Sequence, residues 1–129
     1  ATAQDAPSAP GGVHWVELHS HDVAADRAWL EAVFGYEVTE MPMPNGPYYL
    51  LNDGGGQRGG LMQAMNPQAP SMWLTWIQVP NVDETVATAK GKGGTALTDL
   101  MEIEGVGRMG IVQAPDGAVF GVITPPAQA

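Results

Sequence analysis

The sequence predicts an α+β domain made of two tandem βαβββ repeats whose curved sheets form a cup. Three observations carry this expectation. The same order of elements, one strand, one helix and three strands, can be read twice, over residues 13–65 and again over 72–124. Glycine (17) and proline (11) are frequent, which favours short strands joined by turns over long helices. Hydrophobic residues make up 44% of the 129 positions, enough for one buried core.

The elements follow in order. Residues 1–12, rich in Ala, Pro and Gly, read as a mobile N-terminal tail without the basic and apolar blocks of a signal peptide. Residues 13–20 form a strand on the strength of Val, Trp and His rather than clean alternation. Asp22 is placed to cap a helix over 23–33, with Ala25, Trp29, Leu30, Val33 and Phe34 on its apolar side and Gly35 just past its end. Strands are expected at 36–41, 48–52 and 60–65. The proline-rich run 41–47 reads as a loop, and Asp53-Gly54-Gly55-Gly56 as a connection. After a polar break at 66–70 the order repeats, with a strand at 72–79 and a helix capped by Asn81 or Asp83 that runs to about Lys92 and stops at Gly93-Gly94. Three strands follow, at 95–103, 108–113 and 118–124, the last two joined by the turn Pro115-Asp116-Gly117. Residues 125–129 read as a C-terminal tail.

Charge and composition exclude several classes of function. Five Lys and Arg against 14 Asp and Glu give a formal charge of −9, which repels phosphate backbones and anionic membrane surfaces. No nucleic-acid or membrane partner is therefore expected. Cysteine is absent, so disulfides, thiolate nucleophiles and Cys-based metal sites are not available, and a cytoplasmic location is the default. The glycine-rich run 54–60 lacks both a following helix and a Lys-Ser/Thr ending, so it reads as a hairpin tip rather than a phosphate loop.

Two stretches carry a family resemblance. The first is His14-Trp15-Val16-Glu17-Leu18-His19-Ser20-His21-Asp22, followed by Trp29-Leu30-Glu31-Ala32-Val33-Phe34-Gly35-Tyr36-Glu37-Val38. The second is Trp76-Ile77-Gln78-Val79, then Asn81-Val82-Asp83, Gly93-Gly94 and Ala114-Pro115-Asp116-Gly117-Ala118-Val119-Phe120. In order and spacing they resemble the vicinal oxygen chelate superfamily, the glyoxalase, bleomycin-resistance and extradiol dioxygenase group, over residues 13–124. The closing run is similar to that family's Asp-Pro-x-Gly turn, with Ala114 where Asp is usual.

The resemblance implies a cup that holds a divalent metal through His, Gln or Glu. The family's first ligand lies seven residues before the helix-capping Asp, which is Trp15 in this chain. A second lies five residues before the Val that ends the first strand of the second repeat, which is Leu74. The last lies four residues after the turn Gly, which is Gly121. None of these side chains can coordinate a metal. No metal and no cofactor are expected, and glyoxalase or dioxygenase chemistry would lack its Lewis acid. The resemblance further implies a homodimer.

If Trp15 faces into the cup, the two-residue strand period turns Glu17 and His19 the same way. By the same period Leu74, Trp76 and Gln78 share a face, and Gly121 leaves room beside them. Such a lining suits a flat, mostly apolar small molecule, and indole stacking favours an aromatic or cationic one. Core packing is the alternative for Trp15 and Trp76, and is the expectation for Trp29 and Trp73. Met41, Met43, Met62 and Met65 would border the opening. Arg108 is a candidate for holding a ligand carboxylate, against the plainer reading of an ion pair with one of the many acids. His14 faces the other way and reads as structural. The sequence thus points to a metal-free small-molecule binding protein similar to bleomycin-resistance proteins. The alternative is a glyoxalase-like lyase or isomerase, or a dioxygenase. It would work either as a metal-free acid/base pair of Glu17 and His19 or with a metal on the alternating Glu17, His19 and His21. A third reading is a module acting through protein contacts, its cup vestigial.

Overall fold

Short polar caps start both helices. In the computed structural model, which describes residues 9–43 and 46–126, Asp22 accepts a hydrogen bond from the Ala25 amide at 3.1 Å and opens α1 (Val23–Phe34). Gly35 ends it in the left-handed conformation at φ 72° that a residue with a Cβ adopts at a cost. Asn81 caps α2 (Val82–Gly91) through the Glu84 amide at 3.0 Å, with Asp83 and Glu84 in the first turn and Lys90 in the last, as the helix dipole favours. The chain forms two compact units. One spans Trp15–Leu74, and the other joins the described residues up to His14 to those from Thr75 onward.

In the first unit four strands lie in the order β2-β3-β4-β1, namely β2 (Glu37–Met43), β3 (Gly46–Asp53), β4 (Gly56–Gln63) and β1 (Val13–Ser20). β1 runs parallel to β4, and the other pairs are antiparallel. Strand alternation sends Leu18, Leu51 and Leu61 to one face, where they meet Leu30 of α1 in a core flanked by Val23, Tyr36, Val38 and Tyr49. The opposite face, free of this unit's own helix, carries Trp15, Glu17 and His19 of β1, Tyr48 of β3, and Gly60 and Met62 of β4.

The second unit repeats the plan. β5 (Met72–Gln78) pairs in parallel with β9 (Val119–Thr124), β9 with β8 (Gly107–Gln113), and β8 with two short strands, β6 (Thr95–Ala96) and β7 (Met101–Ile103). Val82 of α2 packs on Val112 and Val122, bordered by Val79, Val86, Ala89 and Leu100. The α+β architecture of two tandem βαβββ repeats is thus present, with a split strand in the second copy.

Several boundaries differ from expectation for local reasons. The strand expected over 95–103 is broken because the Thr98 hydroxyl accepts from the Ile111 amide at 3.1 Å, taking the place of a ladder carbonyl. Residues 41–43 and 46–47, expected in a loop, continue the β2–β3 ladder with Pro42 opposite Pro47. β2 is the edge of its sheet, where prolines are tolerated. β4 begins at Gly56, so the hairpin turn is only Gly54-Gly55. Gly11 and Gly12, expected in the mobile tail, exchange backbone hydrogen bonds of 2.7 and 3.0 Å with Gln78. Residues 1–8 of that tail and 127–129 of the other lie outside the described residues. Trp29 and Trp73, expected in the core, are 57% and 46% exposed. α1 buries itself through Leu30, which leaves Trp29 to meet Phe34 edge-on at 5.7 Å on the outer side. No helix among the described residues is long and apolar enough to cross a membrane.

Leu61 has no exposed surface and sits at the centre of the first core. Leu61→Ala is expected to lower the unfolding free energy by about 2–5 kcal/mol, as deleting a buried isopropyl group from a packed core does. Urea titration followed by circular dichroism checks this through the shift of the midpoint.

Candidate functional site

The helix-free face of the first unit holds a continuous chain of polar side chains. The Trp15 indole N–H donates to the Tyr48 phenol oxygen at 2.7 Å. The Tyr48 hydroxyl in turn donates to Glu17 Oε2 at 2.7 Å. The other carboxylate oxygen, Oε1, lies 2.8 Å from His19 Nε2. Glu17 is only 7% exposed, so a carboxylate that would be costly to bury alone has both oxygens matched. Burial, followed by the charge and hydrogen bond of Glu17, pushes the Tyr48 phenol far above its ordinary value of 10.0, and the indole N–H pulls weakly the other way. Tyr48 therefore stays protonated and acts as a fixed donor.

Backbone register makes this chain possible. Glu17 of β1 lies opposite Gly60 of β4, which lies opposite Leu50 of β3. Tyr48 crosses β4 over Gly60 to reach Glu17, and any Cβ at position 60 would occupy the place of the phenol. Tyr48 and Gly60 were not singled out from sequence. A glycine inside a strand is the signal that marks such a close approach, and Gly59-Gly60 carries it.

The remaining candidates lie elsewhere or are already engaged. His21 falls one residue beyond β1 and its Nε2 meets the Ala69 carbonyl oxygen, so it leaves the face shared by Glu17 and His19. Among the described residues there is no group of three His, Asp or Glu side chains able to hold a metal ion. Leu74 is fully buried in β5. In the second unit Trp76 is 6% exposed and its indole lies over Gly121, in the room expected there for a ligand. Gln78 is half-buried at the end of β5, where its backbone holds Gly11 and Gly12. Arg108 stands on the α2 side of its sheet, with Gly110 and Val112, and opposite the face of Trp76 and Gly121. It makes a two-pronged pair with Asp83 at 2.5 and 3.0 Å and reaches Glu102 at 3.3 Å. That pair holds the Asp83 carboxyl below its usual range. The plainer reading of Arg108 as an ion-pair residue is the one the geometry matches. Along β1, burial holds the His14 imidazole below its ordinary 6.5.

The three positions where the resemblance places metal ligands can now be tested as donors. Trp15 offers an N–H already given to Tyr48, Leu74 offers a buried aliphatic side chain, and Gly121 offers none. An indole N–H donates and has no lone pair for a cation. The donor set does not fit a divalent metal.

Comparison with known proteins gives a consistent family signal. No protein-family model matches the chain. A Mycobacterium tuberculosis protein, CFP32, whose name carries a provisional glyoxylase assignment, is 32% identical over 119 residues, covering 92% of this chain and 46% of that protein. The anthracycline biosynthesis protein DauV of a Streptomyces species is 26% identical, covering 88% of this chain and 47% of that protein. The chain thus spans just under half the length of these relatives. Among solved structures, methylmalonyl-CoA epimerase from Mycobacterium tuberculosis matches with a TM-score of 0.62 at 14% identity, covering 98% of this chain and 97% of that one. The Streptomyces coelicolor methylmalonyl-CoA epimerase bound to 2-nitronate-propionyl-CoA matches with a TM-score of 0.63 at 18% identity, covering 92% and 97%. At such identities these two structures speak for the fold alone.

The raised Tyr48 value carries a pH signature with a definite sign. Above about pH 10 the unfolded chain releases the phenol proton while the folded chain keeps it, so stability is full below that pH and falls as pH rises beyond it. Tyr48→Phe is expected to remove this part of the alkaline slope. Urea midpoints of both proteins, compared on either side of pH 10, measure the difference.

Proposed function

The chain belongs to the vicinal oxygen chelate superfamily, and on that premise we propose that it binds a small, flat organic molecule, aromatic or cationic, without a metal. The observation that carries this reading is the hydrogen-bonded chain Trp15–Tyr48–Glu17–His19, which begins at the family's first metal-ligand position. It combines two aromatic rings with a buried carboxylate whose partners carry no fixed positive charge. Met62 and Leu50 lie beside it on the same face. Aromatic rings and thioethers supply apolar contact, and the carboxylate favours a positive or proton-donating group on the ligand. Leu74, Trp76, Gln78 and Gly121 remain ligand-side candidates in this proposal with less support, since Trp76 already covers Gly121.

A second reading is favoured by one specific contact. Glu17 and His19 at 2.8 Å form an acid/base pair, and relatives bear names of glyoxylase and biosynthetic type. In this reading the domain carries out metal-free proton transfer on its ligand. Metal dependence through Glu17, His19 and His21 has less support, because His21 is turned to Ala69. A homodimer in the cytoplasm is proposed with either reading. The exposed Trp29, Val33 and Phe34 of α1 support a contact surface, and light scattering that returns a monomer mass removes it.

Thermal-shift screening with flat aromatic cations and aromatic ketones, in chelator-treated buffer, tests the first reading. A ligand at 100 times its Kd is expected to add about 2.7 kcal/mol to stability, and Trp15→Ala should erase the gain. Failure of every compound, or stabilisation only after a divalent cation is added, would sink it.

A further inference from the structure

Trp15 fixes the direction of the first two hydrogen bonds in the chain it begins. An indole N–H can only donate, so the Tyr48 oxygen is an acceptor toward Trp15 and must spend its single proton on Glu17 Oε2. Glu17 then accepts there as a carboxylate. With Glu17 in its carboxylate form Oε1 can only accept as well, and the proton between it and His19 then belongs to Nε2. In the neutral ring this leaves the lone pair on Nδ1. No described residue hydrogen-bonds to that nitrogen. The side chain of His19 is 12% exposed, on the face that carries no helix of its own unit.

We infer that His19 serves as a base through Nδ1, that Glu17 holds it in the Nε2–H form, and that Tyr48 and Trp15 position Glu17 from its far oxygen. This deepens the acid/base reading above and rests on it. The substrate class is a carbon acid, a flat molecule with a C–H beside a carbonyl. In the step, Nδ1 takes the proton, the C–H electron pair moves into the carbonyl to give an enolate, and the ring becomes an imidazolium facing the Glu17 carboxylate. Returning the proton to the same face of that carbon gives exchange, and returning it to a neighbouring position gives an isomer. No oxidant or reductant is needed. The raised Tyr48 value supports the scheme, because the phenol keeps the proton that sets the direction of the chain. Only His19 would touch the substrate, whereas Glu17, Tyr48 and Trp15 are positioning residues.

The test uses the ligand-free full chain. Long-range ¹H–¹⁵N correlation spectra report which ring nitrogen carries hydrogen, and His19 is expected as the Nε2–H form. Phenacyl bromide, an aromatic alkylating ketone, is expected to form its new C–N bond at His19 Nδ1 with loss of bromide, as peptide mapping and NMR of the adduct would show. In Glu17→Gln the amide oxygen should turn to Tyr48 and its NH₂ to His19, which reverses the tautomer and moves the label off Nδ1. In Tyr48→Phe labelling should slow by roughly tenfold, the size expected for loss of one charge-assisted hydrogen bond. An Nδ1–H form in the unmodified protein, or no labelling at His19 Nδ1, would overturn the inference even if neither variant folds. If these results hold while no compound gives a thermal shift, the binding reading fails and the base assignment stands. The opposite pattern removes the base and leaves the binder.

Discussion

Glu17 is the constraint around which the first unit is arranged. A carboxylate at 7% exposure on a sheet face costs several kcal/mol unless each oxygen meets a donor. β1 can supply one donor from His19, two residues along on the same face. The other must come from another strand, and β4 lies between β1 and β3. The solution is a long side chain on β3 and none at all on β4, namely Tyr48 and Gly60. A glycine within a strand gives up about 0.5–1 kcal/mol relative to alanine, less than the cost of leaving Oε2 unmatched. Gly60 is therefore part of the polar chain although it has no polar side chain.

The second unit handles the equivalent place differently. In each repeat the last strand pairs in parallel with the first and presents a glycine there: Gly60 faces Glu17 and Gly121 faces Trp76. Over Gly60 lies a phenol whose hydroxyl is spent on a carboxylate. Over Gly121 lies the indole of the very residue paired with it. One repeat thus keeps a polar chain ending in a ring nitrogen that no described residue engages, and the other fills the same place with apolar surface. The proposed site is placed on the first unit for that reason, whereas the second carries the Arg108–Asp83 pair on its helix side.

Residues whose role is set by near neighbours were legible in the sequence. Asp22, Gly35 and Asn81 cap their helices as expected, because a cap is decided within four residues. Glu17 and His19 share a face because strand alternation is local. Whatever depended on partners far along the chain was not legible. Tyr48 lies 31 residues from Glu17, so its part in the chain appears only with the β1–β4–β3 register. His21 follows the alternation on paper but lies past the end of β1, where residues 69 and 71 capture it. Trp29 obeys the helical period of an apolar side, yet α1 meets its sheet through Leu30, and the indole stays outside.

The same charge serves the two readings of the site in opposite ways. Where a metal ligand stands in the family pattern, Trp15 supplies a proton donor, and neutral donors rather than a cation satisfy Glu17. With His19 neutral the chain keeps one negative charge. A cationic ligand placed beside Glu17 uses that charge directly, and then nothing is left to stabilise an imidazolium. A neutral ligand leaves it available, and His19 can take a proton while Glu17 balances the ring. Under the two proposals, cations are the ligands such a site would sequester, and neutral ketones the ones it would enolise. The two proposals thus divide on the charge of the bound molecule, since both draw on the one carboxylate of Glu17.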